Sequence, residues 1–320
     1  MSTATSITTT YAGEFAGKYI AAALLSSPTL EKGLVTIKPN VKYRETVKKL
    51  ATGGIMQDAT CDFTSAGSVT LTERILEPKE LQVNQVLCKK DFRSDWEAVQ
   101  MGYSATDVLP PTFSEFLISH MVAKIAQENE IAIWRGAAGT NGSYNGLTTL
   151  IALDAGLPSG QEIAAVGGGV LSTNVIAELG KIVDACPAAL YGNEGLTLFV
   201  SQNIYKAYVR ALGGFGASGL GAAGTNAQGT QWYSNGSGLS FDGIRVEMVQ
   251  GLASNTAVLA EKENLWFGTG LLSDHNEIKV LDMGDLDGSQ NVRFVARMTA
   301  GVQYGNIEEI VTYGITNSAN

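Results

Sequence analysis

The residues able to do chemistry are few and poorly placed for it. Gly214-Phe-Gly216-Ala-Ser-Gly219 and Gly219-Leu-Gly221-Ala-Ala-Gly224 both match GxGxxG, whose glycines let the backbone approach a pyrophosphate seated on a helix N-terminus. That chemistry needs a strand before the glycines and a helix after them. Here the preceding stretch, Gln202 to Leu212, reads as a helix, and a charge-free glycine tract follows. A dinucleotide-binding enzyme using 213–224 therefore stands only as an alternative from another functional class. His120 and His275 are the only histidines, and neither GxSxG nor a Walker-type GxxxxGKS/T occurs, so no triad or phosphate loop is assembled. Asp282, Asp285 and Asp287 before Gly288 resemble half of a calcium loop but lack its spacing and closing glutamate, and a strand-to-strand turn explains them better. Cys61, Cys88 and Cys186 are far apart and in no metal-ligand spacing, as in a protein folded in a reducing cytoplasm. Catalytic, cofactor-binding and metal-ligating residues are accordingly expected to be none, and the chain is read as not an enzyme.

The elements that would have to hold a site are clearer. Pro110, Pro111, Thr112 and Glu115 announce a helix from Phe113 to Trp134 through a capping box at Thr112. Phe113, Leu117, Met121 and Ile125 recur at four-residue spacing, with Phe116, Ile118 and Val122 widening the stripe. At about 1.5 Å per residue such a helix exceeds 30 Å, a spine rather than a connector. His120 is expected on its apolar side, packed or capped. A second helix is predicted from Asn174 to Cys186, then a buried strand from Leu196 to Val200 and the helix from Gln202 to Leu212. Strands follow at 244–249, 256–260, 265–267, 277–281, 292–299 and 309–313. Helices and strands without regular alternation mean an α+β fold.

Composition narrows the classes further. With 45% apolar and 17% charged residues, the 320-residue chain can bury a sizeable core. No apolar run approaches the length of a membrane span, and Met1 to Thr10 lacks the basic start of a secretory signal. A net charge of -9 repels polyphosphate on average, which argues against sequence-specific binding of nucleic acid. The charge is uneven. Lys32, Lys38, Lys42, Arg44, Lys48 and Lys49 dominate residues 31–50, whereas residues 261–320 hold nine acids against four bases. These two ends either attract each other between neighbouring copies or are solvated faces that never meet.

Two segments look unable to stand alone. Between Tyr43 and Phe92 strand-like stretches bracket a polar tip, with Val69, Leu71, Ile75 and then Leu81, Val83, Leu87 at even spacing. Thr52 to Ser68 has few large apolar residues and should project as a long hairpin whose bare edges need a cover. The other segment, from Arg210 to Asp242, encloses thirty-one residues without a charge and nine glycines, with Phe215, Leu220, Trp232 and Tyr233 among them. A loop that long and that aromatic is read as buried by a partner. The candidate intersubunit residues are Ile55, Met56 and Phe63 on the hairpin and Phe215, Leu220, Trp232 and Tyr233 on the loop.

The order of parts resembles a tailed-phage major capsid protein. The segment Ala126-Gln-Glu128-Asn129-Glu-Ile131 at the end of the long helix, then Gly136, Gly139-Thr140 and Asn145-Gly146-Leu147, carries the resemblance. So do Asn264-Leu-Trp-Phe-Gly-Thr, Leu272-Ser-Asp274, Lys279-Val-Leu-Asp282-Met and Val302-Gln-Tyr-Gly. The resemblance covers nearly the whole chain. It implies the shell fold named after phage Hong Kong ninety-seven: an N-terminal arm over 1–42, an extended loop over 43–77, a peripheral domain over 78–146 and 275–320, and an axial domain over 147–274. The implied function is structural, with many copies forming pentamers and hexamers of an icosahedral shell around double-stranded DNA pumped in by a separate motor. Implied partners are other copies of the chain, a portal, a possible decoration protein and, because the chain starts at the arm, a separate scaffolding protein. Assembly in the host bacterial cytoplasm is expected, with no cofactor and no membrane. Lys79, Lys89 and Lys90 lie near the loop, where some members of the family crosslink a lysine to an asparagine, but ordinary surface lysine is the better reading. An encapsulin-type shell enclosing protein cargo is the alternative within the fold.

Overall fold

The longest run of helix-compatible apolar spacing becomes the longest helix among the described residues. A computed structural model describes residues 27–41, 43–54, 56–59, 61, 67–88, 111–212, 239–270, 279–284 and 288–319. Its helices are α1 (Pro28–Glu31), α2 (Pro111–Arg135), α3 (Leu147–Ala152), α4 (Val175–Asp184) and α5 (Gln202–Leu212). The strands are β1 (Thr36–Pro39), β2 (Glu45–Gly53), β3 (Ser68–Leu76), β4 (Lys79–Cys88), β5 (Glu162–Ile163), β6 (Leu196–Val200) and β7 (Leu239–Phe241). They continue with β8 (Ile244–Met248), β9 (Ala257–Glu261), β10 (Leu265–Thr269), β11 (Lys279–Asp282), β12 (Asn291–Tyr304) and β13 (Val311–Tyr313).

Among the described residues the strands form three sheets. One has six strands in the order β5-β13-β9-β6-β8-β7. Every residue of its β6 is buried, as a continuous apolar run demands of a strand covered on both faces. Leu198 and Val200 pack beneath α4 and α5 with Val175, Leu179, Ile182, Ile204 and Tyr208. Phe199, pointing the other way, joins Trp134 of α2, their ring centroids 5.1 Å apart. The second sheet runs β1-β10-β12-β11, with β4 also paired to β12. Ile118 and Ile125 of α2 lie against Val280, Val292 and Phe294 of this sheet, with Val83 and Leu87 of β4 alongside. One helix thus packs on the second sheet along its length and on the first at its end. The third sheet is the hairpin β2-β3 alone.

Where α2 ends, the chain folds back tightly. Gly146 N–H donates to Gly136 O at 2.8 Å, and Thr148 and Thr149 hydroxyls donate to Trp134 O and Gly136 O at 2.6 and 2.7 Å, covering carbonyls that a helix end leaves open. A Cβ on Gly146 would stand 2.6 Å from Ala132 O, and one on Gly136 2.7 Å from the same atom. Both positions need glycine because backbone crosses backbone there.

Several expectations are corrected. Thr112 lies inside α2, which already includes Pro111, so it is not the cap. His120 is exposed rather than on the packed side, since Ile118 and Ile125 define the buried face and residue 120 is rotated away from it. The stretches carrying Val69 and Leu81 are both strands, but with only Glu77 and Pro78 between them they do not pair. β3 turns back on β2, while β4 takes ten register pairs with β12, Lys79↔Ala300 through Cys88↔Asn291. The basic segment and the acidic C-terminal segment meet within one chain: β1 pairs with β10 in parallel, and Lys49 Nζ lies 2.9 Å from Glu308 Oε2.

Candidate functional site

The hairpin is the surface that its own fold leaves incomplete. Its nine register pairs run from Glu45↔Leu76 to Gly53↔Ser68, and among the described residues it has no third strand. Alternation across a strand divides it into two faces. One face carries Val47, Lys49, Thr72, Arg74 and Leu76, and turns toward the rest of the chain: Leu76 is buried, and Val47, Lys49 and Arg74 are half-buried. The other carries Thr46, Lys48, Leu50, Val69, Leu71, Glu73 and Ile75, all exposed. Val69 is 66% exposed.

Apart from Val47 and Leu76, the inner face is the polar one. Arg74 Nη2 donates to Asp154 Oδ2, and the guanidinium lies over the Tyr304 ring, 4.5 Å from its centroid. Tyr304 Oη donates to the same carboxylate oxygen at 2.6 Å, and Gly156 N–H to Asp154 Oδ1 at 2.8 Å. Burial pushes the Asp154 carboxyl pKa up, but hydrogen bonds from Tyr304, Gly156 and Arg74, with the Arg74 charge, outweigh it and hold the group below its ordinary value. Burial, then the hydrogen bond to Asp154, raises the Tyr304 phenol. Further along, Lys49 Nζ donates to Asn306 Oδ1 at 2.6 Å. Gln303 Nε2 donates to Ile75 O at 3.0 Å. A hairpin strapped down by its polar face presents its apolar face to water, the reverse of an ordinary surface sheet. Covering one such Leu, Val or Ile side chain is worth roughly 1.5–3 kcal/mol at full burial.

The entry of the chain is pinned separately. Glu130, buried on α2, accepts Thr29 N–H at 3.1 Å and Thr29 Oγ1–H at 2.6 Å. Trp134 Nε1 donates to Thr29 Oγ1 at 2.9 Å. Lys32 Nζ reaches Glu247 Oε2 at 2.9 Å.

Of the residues chosen from sequence, Met56 lies at the hairpin end, 94% exposed. Ile55, Phe63, Phe215, Leu220, Trp232 and Tyr233 lie outside the described residues, as do His275, Asp285, Asp287, Lys89 and Lys90. Lys79 Nζ donates to Ser143 O at 2.7 Å. Asp282 Oδ1 accepts Gly284 N–H at 2.9 Å, a turn contact. The glycine fingerprint follows directly on α5, a helix where dinucleotide binding requires a strand. Leu50 was not singled out, and Val69, Leu71 and Ile75 were legible only as strand residues. Their even spacing marks one face of a strand, and nothing local says whether that face looks in or out.

No protein-family model matches the sequence, and no curated protein matches it either. Solved structures do share its fold. The chain is similar to the capsid of a native GTA particle, at 13% identity over 92% of this chain and 90% of that one, with a TM-score of 0.58. It is similar to the procapsid of satellite phage P4, at 12% identity over 93% and 99% of the two chains, TM-score 0.53. The capsid of Myoviridae phage XM1 is matched at 13% identity over 98% and 96%, TM-score 0.53.

Proposed function

We propose that this chain, which has the α+β shell fold of tailed-phage capsids, is a major capsid protein whose copies assemble into a closed icosahedral shell around packaged double-stranded DNA. The observation that carries the proposal is the hairpin held down by Arg74 and Lys49 with Leu50, Val69, Leu71 and Ile75 facing outward. An apolar face tethered in that orientation is stable only when a neighbour covers it. The role is structural.

Residues 1–42 form the arm, 43–77 the extended loop, 78–146 with 275–320 the peripheral domain and 147–274 the axial domain. The long helix against the β4-β12 sheet supports the peripheral assignment, and the six-stranded sheet the axial one. The two domains share strands: β10, in the axial range, pairs with β12, and β13, in the peripheral range, pairs with β9. Partners are further copies in pentamers and hexamers, a scaffolding protein, a portal and a decoration protein. The DNA is enclosed rather than read, since a net charge of -9 argues against sequence-specific binding. The place of action is the virion, after assembly in the bacterial cytoplasm.

Electron microscopy of the purified full-length protein, with and without scaffold, tests this. Pentamers, hexamers or closed shells are expected. A strictly monomeric species at high concentration in low and high salt, with scaffold present, would overturn the proposal.

A further inference from the structure

A groove of about 330 Å³ lies along α2, walled by Ala123, Ala126, Gln127, Glu130 and Ile131 of the helix, by Pro28 of α1 and by Gln250. Positions 123, 126, 127, 130 and 131 share one helical face. Small side chains at 123 and 126 leave the helix backbone open to close approach. Ala123 and Gln127 are exposed, so this side of the groove is uncovered.

Three observations say what covers it. Pro28 forms part of the wall and Glu130 grips Thr29 through both its N–H and its hydroxyl, so the chain enters α1 at the mouth of this groove and at a fixed point. Ser27, one residue earlier, is completely buried, and its Oγ has no hydrogen-bond partner among the described residues. The sequence upstream of Ser27 is Tyr19-Ile-Ala-Ala-Ala-Leu-Leu25-Ser26, an uncharged stretch in which Ala21 to Leu25 are strong helix formers. Six residues span about 9 Å as a helix. A tether this short keeps the segment at an effective concentration of about millimolar or more beside its target, which disfavours a competing occupant.

We infer that Ile20–Leu25 of the same chain docks into this groove, its alanines against Ala123 and Ala126 and its leucines sealing the mouth above Pro28. The inference concerns the folded subunit and does not depend on shell formation, so it can fail while the capsid reading stands.

The test uses full-length protein carrying Ala123→Cys, with maleimide labelling followed by peptide mass mapping so that Cys61, Cys88 and Cys186 serve as internal references. Adding Leu24→Asp with Leu25→Asp should raise the labelling rate of the introduced thiol at least tenfold while the reference cysteines keep theirs. Should the double aspartate variant misfold, Leu24→Ala with Leu25→Ala gives a smaller rise in the same direction. Whose segment is docked is read by pairing Gln127→Cys with Ala21→Cys, Ala22→Cys or Ala23→Cys in turn under mild oxidation, where a disulfide within one chain is expected. Unchanged labelling in both leucine variants overturns the inference, and so do disulfides that only link two chains, which would assign the groove to a second copy.

Discussion

Leu50 and Leu71 sit directly opposite each other across the hairpin, and both point away from their own chain, 63% and 62% exposed. A cross-strand leucine pair ordinarily marks a buried face. Here the face beneath is occupied by Arg74 and Lys49, each bonded to the body of the protein, so the leucines are left for something outside it.

Replacing both with aspartate should therefore leave the subunit intact and disable its assembly. An exposed substitution changes folding stability by about 0.5 kcal/mol or less, whereas two lost apolar contacts per copy weaken association by roughly 3 kcal/mol, above a hundredfold. Thermal unfolding and sedimentation of Leu50→Asp with Leu71→Asp check the two halves. Normal shells from this variant would show that the leucines face solvent in the particle as well.

Shortening the hairpin separates its tip from its base. With residues 54–67 replaced by a two-residue Asn-Gly turn, the register from Glu45↔Leu76 to Gly53↔Ser68 can still close, and loop entropy changes little with length. The circular dichroism spectrum should be unchanged while shells fail to form or become fragile. Heat-resistant shells would make the tip decoration, and an unfolded variant would place it in the core.

The Arg74–Asp154–Tyr304 contact gives a pH signature. Because the folded-state pKa of Asp154 lies below the unfolded one, its contribution is fully present above the unfolded value of about 3.9 and is lost as pH falls through the lower folded value. The difference in unfolding midpoint between wild type and Asp154→Asn should be constant near neutrality and shrink below about pH 4. A gap that widens on acidification would mean that another group controls the site.

Glu130 should prove sensitive for the opposite reason, since its carboxylate is buried and serves two donors at once. Glu130→Ala orphans Thr29 N–H and breaks the chain that runs through Thr29 Oγ1 to Trp134, a loss of about 1–3 kcal/mol. Glu130→Gln keeps an acceptor and should cost less. Chemical denaturation of the two variants ranks them, and equal losses would point to the charge rather than the hydrogen bonds.

Local sequence was sufficient where one element meets one environment. Leu196–Val200 is apolar at every position but Thr197, and a strand buried on both faces is its simplest outcome. Gln202–Leu212 and the long helix through Ile118 and Ile125 follow from helical spacing that only one face can satisfy. The glycines at 136 and 146 were visible as a motif, though only the crossing backbones explain why no Cβ fits there. Tertiary structure decided the remainder. Period-two spacing at Val69, Leu71 and Ile75 defines a face without a direction, and the direction came from Asp154, Tyr304, Asn306 and Glu308, all distant in sequence, which capture Arg74 and Lys49. The partner of β4 was equally out of reach, because β3 is its nearest neighbour along the chain while β12, over two hundred residues away, offers the ten matching register positions. Pairing is a choice among distant edges, and a single strand carries no record of which edge it will meet.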